Sequence, residues 1–176
     1  MALLPIGKYG SDVVATPDIV AEWMVKYFAP TGVILDPCRG DGAFYRHLPP
    51  GALWCEITEG VDFFQWGKPV DWIIGNPPYA VFSQWLRHSF TLARDIVYLI
   101  PVNKVFNSFT MLQDIRTWGG IREIVALGSG GALKFPIGFA AGAVHLRRGW
   151  TGDTSISVSP IHTQPEPITQ LELNGA

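Results

Sequence analysis

Residues Gly75-Asn76-Pro77-Pro78-Tyr79 follow a short apolar run, Asp71-Trp72-Ile73-Ile74. An apolar run of this length ending in Gly, Asn and two prolines reads as a buried strand that stops abruptly. Proline cannot continue a β ladder, and the residue before each proline is pushed toward extended geometry. The product is a rigid elbow at the carboxyl end of a strand, where open α/β sheets bind their ligands. It presents one amide, one fixed carbonyl and one aromatic ring. These groups suit a flat base that carries an exocyclic amine.

Three further segments carry chemistry. In Leu35-Asp36-Pro37-Cys38-Arg39-Gly40-Asp41-Gly42-Ala43-Phe44, a buried strand ends in an acid and a turn with two glycines opens the next element. The glycines let backbone approach a ligand closely, and Asp36 can accept from a cationic amine or from loop amides. Cys55-Glu56-Ile57 puts an acid at the end of the next strand, a position that binds ribose hydroxyls in nucleotide-binding α/β folds. Gly60-Val61-Asp62-Phe63-Phe64 sets an acid beside two rings, which suits an adenine amine and its face. Taken singly, Glu56 is an ordinary surface charge and Phe63 or Phe64 an ordinary core residue. Their order ahead of the elbow is what joins them into a site.

The elements that must position these groups alternate. Thr16-Pro17 reads as the N-cap and first position of a helix whose face is Ile19, Val20, Trp23, Met24 and Tyr27. Strands are expected at Val33–Asp36, Ala52–Ile57, Asp71–Gly75, Ile96–Pro101, Ile121–Leu127 and Ala141–Arg147. Helices are expected at Ala43–Leu48 (brief), Val81–Ala93 and Ser108–Trp118. This alternation predicts an α/β fold with a mostly parallel sheet and helices on both faces. The loop from Gly128 to Gly138 reads as a mobile lid. Its Gly128-Ser129-Gly130-Gly131 lacks the Lys and Ser/Thr that a phosphate-binding P-loop needs. After Trp150 the composition turns to Thr, Ser, Pro and Gln, so residues 151–176 read as a loosely ordered or surface-wrapped tail on a 1–150 domain.

Composition narrows the class. The chain has 176 residues, 48% hydrophobic with seven tryptophans, enough for one domain with its own core. The net charge of −2 argues against a nucleic-acid-coating protein, although a local basic rim can still contact phosphates. Cys38 and Cys55 suggest no disulfide framework. No signal peptide or membrane-length apolar run is evident, and a cytoplasmic protein is expected. His47, His88, His145 and His162 lack ligand spacing, so no metal is expected.

With these segments in this order, the chain resembles the S-adenosylmethionine-dependent N6-adenine methyltransferases of the amino-methyltransferase group, from about Tyr9 to Arg148. DPCRGDGAF (Asp36 to Phe44) and NPPY (Asn76 to Tyr79) carry the resemblance most strongly. TPDIVAEWM (Thr16 to Met24) resembles the segment that precedes the first motif when motifs run in this order. The resemblance implies a Rossmann-like class I methyltransferase sheet with an antiparallel strand near the carboxyl terminus, and S-adenosyl-L-methionine as cofactor. It implies that Thr16 and Asp36 hold the methionine part, with Pro17 beside them and the turn Pro37, Cys38, Gly40 and Gly42 beneath it. Glu56 would take the ribose, Asp62 with Phe63 the adenine, and Asn76 would face the cofactor as well as the acceptor. Catalysis would rest on Asn76, Pro77, Pro78 and Tyr79. Phe135, or its competitor Phe139, would place a second ring against the target base. Within the turn, Cys38 suits a packing role rather than that of the nucleophile of cytosine-C5 enzymes.

The implied mechanism follows from the amine's electronics. An adenine N6 lone pair is delocalised into the ring. If the Asn76 side-chain oxygen and the Pro77 carbonyl accept its N–H bonds, the nitrogen moves toward tetrahedral geometry, and positioning with fixed dipoles supplies the acceleration. Tyr79 stacks on a base that has left its duplex.

Two departures from the family stand out. Only Thr58-Glu59-Gly60-Val61 separates the second strand from the acid-aromatic segment, too few residues for a helix and a strand. About six strands are therefore expected, with the family's third missing. Little chain beyond Trp150 remains for the recognition domain that DNA methyltransferases of this motif order carry. Relaxed or short-site DNA recognition is expected, or recognition shared with a homodimer mate or a partner. Candidate contacts are Lys104, Asn103, Asn107, Lys134, Lys8 and Arg39. RNA adenine and protein glutamine amides are alternative acceptors, since NPPY serves both, and a catalytically silent partner subunit is a further alternative.

Overall fold

Apolar residues along the short strands alternate between two sides, and that alternation builds two cores on one sheet. In the computed structural model, which describes residues 15–128 and 140–162, the helices are α1 (Asp18–Phe28), α2 (Phe82–Leu92) and α3 (Phe109–Trp118). The strands are β1 (Ile34–Asp36), β2 (Leu53–Trp54), β3 (Trp72–Gly75), β4 (Asp95–Pro101), β5 (Gly119–Gly128), β6 (Ala141–Arg148) and β7 (Ser155–Val158). Leu35, Ile73, Ile96, Tyr98, Ile100, Val144 and Leu146 face the core under α2 and α3. Ile34, Trp72, Ile74, Val97, Leu99 and Ala143 face the other core, under α1 and the segment Ala43–Leu48. Burial on both faces is why β1, β3 and β4 read as continuous apolar runs.

The sheet order is β2-β1-β3-β4-β6-β5-β7. Neighbours are parallel except where β6 runs against β4 and β5. The antiparallel strand near the carboxyl terminus is thus present, and among the described residues β2 forms one edge with no strand beyond it, as the short Thr58–Val61 spacing predicts. Among the described residues the sheet has seven strands rather than about six. The additional one, β7, comes from the tail expected to be loosely ordered or wrapped on the surface. Ser155–Val158 pair in register with Glu123–Ala126 of β5, and the Ser159 amide continues the ladder to the Ala126 carbonyl at 2.8 Å. All four β7 residues are exposed, so the segment lies on the edge without a core of its own.

Two elements are shorter than expected. The brief helix over Ala43–Leu48 is a single 3-10 turn, Tyr45–His47. The strand over Ala52–Ile57 pairs only at Leu53–Trp54, with β1 alone as neighbour. Beyond it the chain turns, the Glu56 and Val61 backbones bridge, and 3-10 turns form at Ile57–Glu59 and Phe63–Gln65. No helix among the described residues is long and apolar enough to cross a membrane.

Candidate active site

The parallel strands β1, β2 and β3 deliver their carboxyl ends to one side of the sheet, and the segments singled out above follow those ends. They enclose a cavity of about 570 Å³, a volume suited to a small molecule the size of a nucleoside derivative. Thr16, Pro37, Cys38, Gly40, Glu56, Asp62, Phe63, Asn76, Pro77 and Pro78 line it.

The elbow is fixed from three directions. Gly75, the last residue of β3, packs so closely on β1's exit that a Cβ there would lie 3.0 Å from Pro37 Cδ and 3.1 Å from Asp36 Oδ1. Cys38 Sγ donates to the Asn76 carbonyl at 3.1 Å. The Asn76 side chain donates from Nδ2 to Thr16 Oγ1 at 3.0 Å. Burial pushes the Cys38 thiol up, which keeps it protonated as the donor this contact requires. The double proline then leads into a 3-10 turn, Tyr79–Val81, at the start of α2. Burial likewise pushes the Tyr79 phenol up.

Asp36 sits behind the cavity wall with 0% exposure. Its Oδ1 accepts from the Cys38 amide at 3.2 Å, whereas its buried Oδ2 has no hydrogen-bond partner. Desolvation pushes its carboxyl up to about 7. A buried acid half-satisfied in this way suits a cationic partner, which would favour the ionised form.

Glu56 is bound more fully. Its Oε1 accepts from the Thr58 amide at 3.0 Å and the Thr58 hydroxyl at 2.7 Å, and its Oε2 from the Gly40 amide at 2.8 Å. Desolvation pushes this carboxyl up, but the Thr58 and Gly40 bonds outweigh it and hold it below the ordinary value. The bond to Gly40, whose φ of +55° suits glycine, ties the first motif's turn to the end of β2. Asp62 Oδ1 accepts from the Phe64 amide at 2.9 Å, capping its own 3-10 turn. Glu56 and Asp62 thus reach the cavity from one compact segment, as the missing third strand predicts.

Some residues named from sequence stand elsewhere. Pro17 and Gly42 do not line the cavity, and Tyr79 lies beside it. Lys104 Nζ donates to the Tyr79 carbonyl at 3.2 Å, so it braces the elbow from the turn after β4. Phe63 is only 2% exposed and stacks on Trp85 at 4.5 Å, a core contact as well as a cavity wall. Lys8, Lys134, Phe135, Phe139 and most of the expected lid lie outside the described residues.

Solved structures share this arrangement of strands and helices. The methyltransferase subunit of a type I restriction-modification system from Streptococcus thermophilus superposes with a TM-score of 0.61 at 16% identity, over 81% of this chain and 47% of that one. The fold is that of the class I methyltransferases. A candidate class I S-adenosylmethionine-dependent methyltransferase from Listeria monocytogenes matches with a TM-score of 0.58 at 14% identity, over 85% of this chain and 68% of its own. Magnesium protoporphyrin IX methyltransferase from Synechocystis PCC 6803, solved with S-adenosylmethionine bound, gives 0.52 at 14%, over 81% and 80%. This chain therefore spans under half of the Streptococcus subunit. No protein-family model and no curated protein sequence matches it.

Several residues of this methyltransferase fold that sequence reasoning missed also line the cavity. Trp85 reads as core because it falls on the buried stripe of α2. Phe44 and Ile57 are apolar wall. Arg39, considered above only as a nucleic-acid contact, is held at the cavity with its guanidinium 4.1 Å from the Trp54 ring and paired to Glu59. The signal available in sequence was adjacency to the glycine turn.

Proposed function

We propose that this chain transfers a methyl group from S-adenosylmethionine to the N6 amine of adenine in DNA, with relaxed or short-site specificity. The observation that carries the reading is the Asn76-Pro77-Pro78-Tyr79 elbow opening onto the same cavity that Glu56 and Asp62 line and Asp36 backs. A class I fold alone leaves the acceptor open, since its neighbours include a porphyrin methyltransferase. The choice of acceptor therefore rests on the elbow.

The residues present fit the cofactor. Its ammonium group would meet the orphaned Asp36 Oδ2. Its ribose hydroxyls would face Glu56, whose ionised oxygens can accept further bonds, and its adenine would lie by Asp62 and Phe63. When bound, S-adenosylmethionine supplies an electrophilic methyl on a sulfonium.

The chain's own residues do the rest. The Asn76 side-chain oxygen and the Pro77 carbonyl accept the two N–H bonds of the acceptor amine, which localises its lone pair. Tyr79 stacks on the extruded base and excludes water. The unit proposed to carry this chemistry is residues 1–150, with 151–176 appended and β7 paired onto its edge. Phe135 or Phe139 is the proposed second ring, Lys104 and Lys134 the proposed rim contacts, and a mate or partner subunit the proposed source of further recognition.

Labelled S-adenosylmethionine offered with duplex DNA, single-stranded DNA, RNA and extract protein tests the reading, with nucleoside mass spectrometry to identify the product. N6-methyladenine in DNA is the expected result. Label confined to RNA or to protein amides would replace the substrate, and no transfer to any acceptor would overturn the activity.

A further inference from the structure

We propose that Thr16 is a positioning residue that holds the nitrogen end of the Asn76 amide and so helps aim its oxygen at the acceptor amine, a role that rests on the function proposed above. Thr16 stands where a helix cap is expected. Yet α1 begins without any side-chain cap: its N-cap position is Pro17, whose carbonyl accepts from the Val20 and Ala21 amides at 2.9 and 3.2 Å. The Thr16 hydroxyl is directed elsewhere. Its Oγ1 accepts from Asn76 Nδ2 at 3.0 Å, across 60 residues of sequence.

The chemistry explains why that contact matters. A primary amide has a donor end and an acceptor end of nearly the same shape, and only the oxygen can accept from an amine. The Asn76 main chain is already held, by Cys38 Sγ on its carbonyl and by the close packing of Pro37 on Gly75. The side chain is held separately, with the Tyr79 phenol also in contact with it. With the Thr16 hydroxyl accepting at Nδ2, the amide oxygen is turned away from Thr16. Thr16 also lines the cavity. One short segment ahead of α1 thus touches both the space for the cofactor and the amide that binds the acceptor, and the two tasks are separable by experiment.

Thr16→Val keeps the shape and removes the hydroxyl. Its kcat for DNA methylation, read at saturating S-adenosylmethionine so that any loss of cofactor affinity is separated, should fall about tenfold, near the upper range for loss of one hydrogen bond. Thr16→Ser should restore kcat. An unchanged kcat in Thr16→Val, a loss lying wholly in cofactor Kd, or no recovery in Thr16→Ser would overturn the proposal.

A second readout needs no turnover. The side-chain amide proton signals of Asn76, assigned by their loss in Asn76→Ala, should shift and exchange faster in Thr16→Val and return in Thr16→Ser. If the wild type methylates no DNA, the proposed function falls by itself. The Asn76 signals then decide the positioning contact, and signals unmoved by Thr16→Val overturn it.

Discussion

Two aspartates at opposite ends of the sheet are equally buried and oppositely treated. Asp36, at the carboxyl end of β1, and Asp95, at the amino end of β4, are both 0% exposed. Asp95 has basic partners on both oxygens: Arg94 Nε at 2.8 Å on Oδ2, with His145 Nε2 at 2.9 Å and Arg147 Nε at 3.7 Å on Oδ1. Burial alone would raise its carboxyl, but His145 and Arg94 outweigh that and hold it below the ordinary value. Asp36 has one loop amide, an oxygen without a partner and a carboxyl pushed up to about 7. A charge neutralised within the fold reads as structural. A charge left half-satisfied beside a cavity reads as awaiting a ligand.

Stability separates the two aspartates most visibly. Asp95→Ala should cost about 3 kcal/mol, the low end for breaking a buried pair because Arg94 and Arg147 can turn to water. Thermal unfolding should show a Tm lower by about 10 °C. A Tm within two or three degrees of the wild type would mean that the cluster is ornamental.

Asp36→Asn should act in the other direction. Removing an acid that burial disfavours should raise the Tm of the ligand-free protein at pH 8, while weakening S-adenosylmethionine binding by about 10- to 100-fold, the range for one charge-assisted hydrogen bond. Calorimetry with both variants separates the two ends. A destabilised Asp36→Asn protein that still binds normally would contradict the contrast.

The pH dependences also diverge. Asp36 holds its proton up to about pH 7 in the fold, but only to its ordinary value of 3.8 when unfolded. Its effect on stability therefore worsens as pH rises from about 4 to 7, and cofactor affinity should rise several-fold between pH 6 and 8 as the carboxylate forms. Asp95 contributes stability above its unfolded value, and that contribution is lost as pH falls through its lowered one. Urea titrations of Asp36→Asn and Asp95→Ala across pH 3–8 should remove the two slopes separately.

The smallest effect is expected at Tyr79. Tyr79→Phe keeps the stacking face and should change turnover less than about threefold, whereas Tyr79→Ala removes the ring and should lower it by about tenfold or more. Equal losses in both variants would assign the role to the hydroxyl.

Local signals made part of this legible in sequence. The apolar runs ending in Asp36 and Gly75, and the glycine and proline turns after them, fix strand ends and therefore the face of the sheet that carries the cavity. The short spacing after Ile57 revealed the missing strand. Contacts distant in sequence were hidden: Thr16 reads as a helix cap until Asn76 is seen beside it, and Asp95 meets His145 only because β4 pairs with β6. β7 was hidden because its alternation, Ser155-Ile156-Ser157-Val158, spans only four residues within a tail rich in Thr, Ser, Pro and Gln.

The Asn76 amide is proposed to perform the transfer in a cavity that binds the cofactor without it. The direct measurement is turnover of Asn76→Ala on DNA, with calorimetric binding of S-adenosylmethionine in parallel. Turnover should be lower by about 10² or more, as for loss of one preorganised polar group, with binding retained. Near-normal turnover in Asn76→Ala would contradict it.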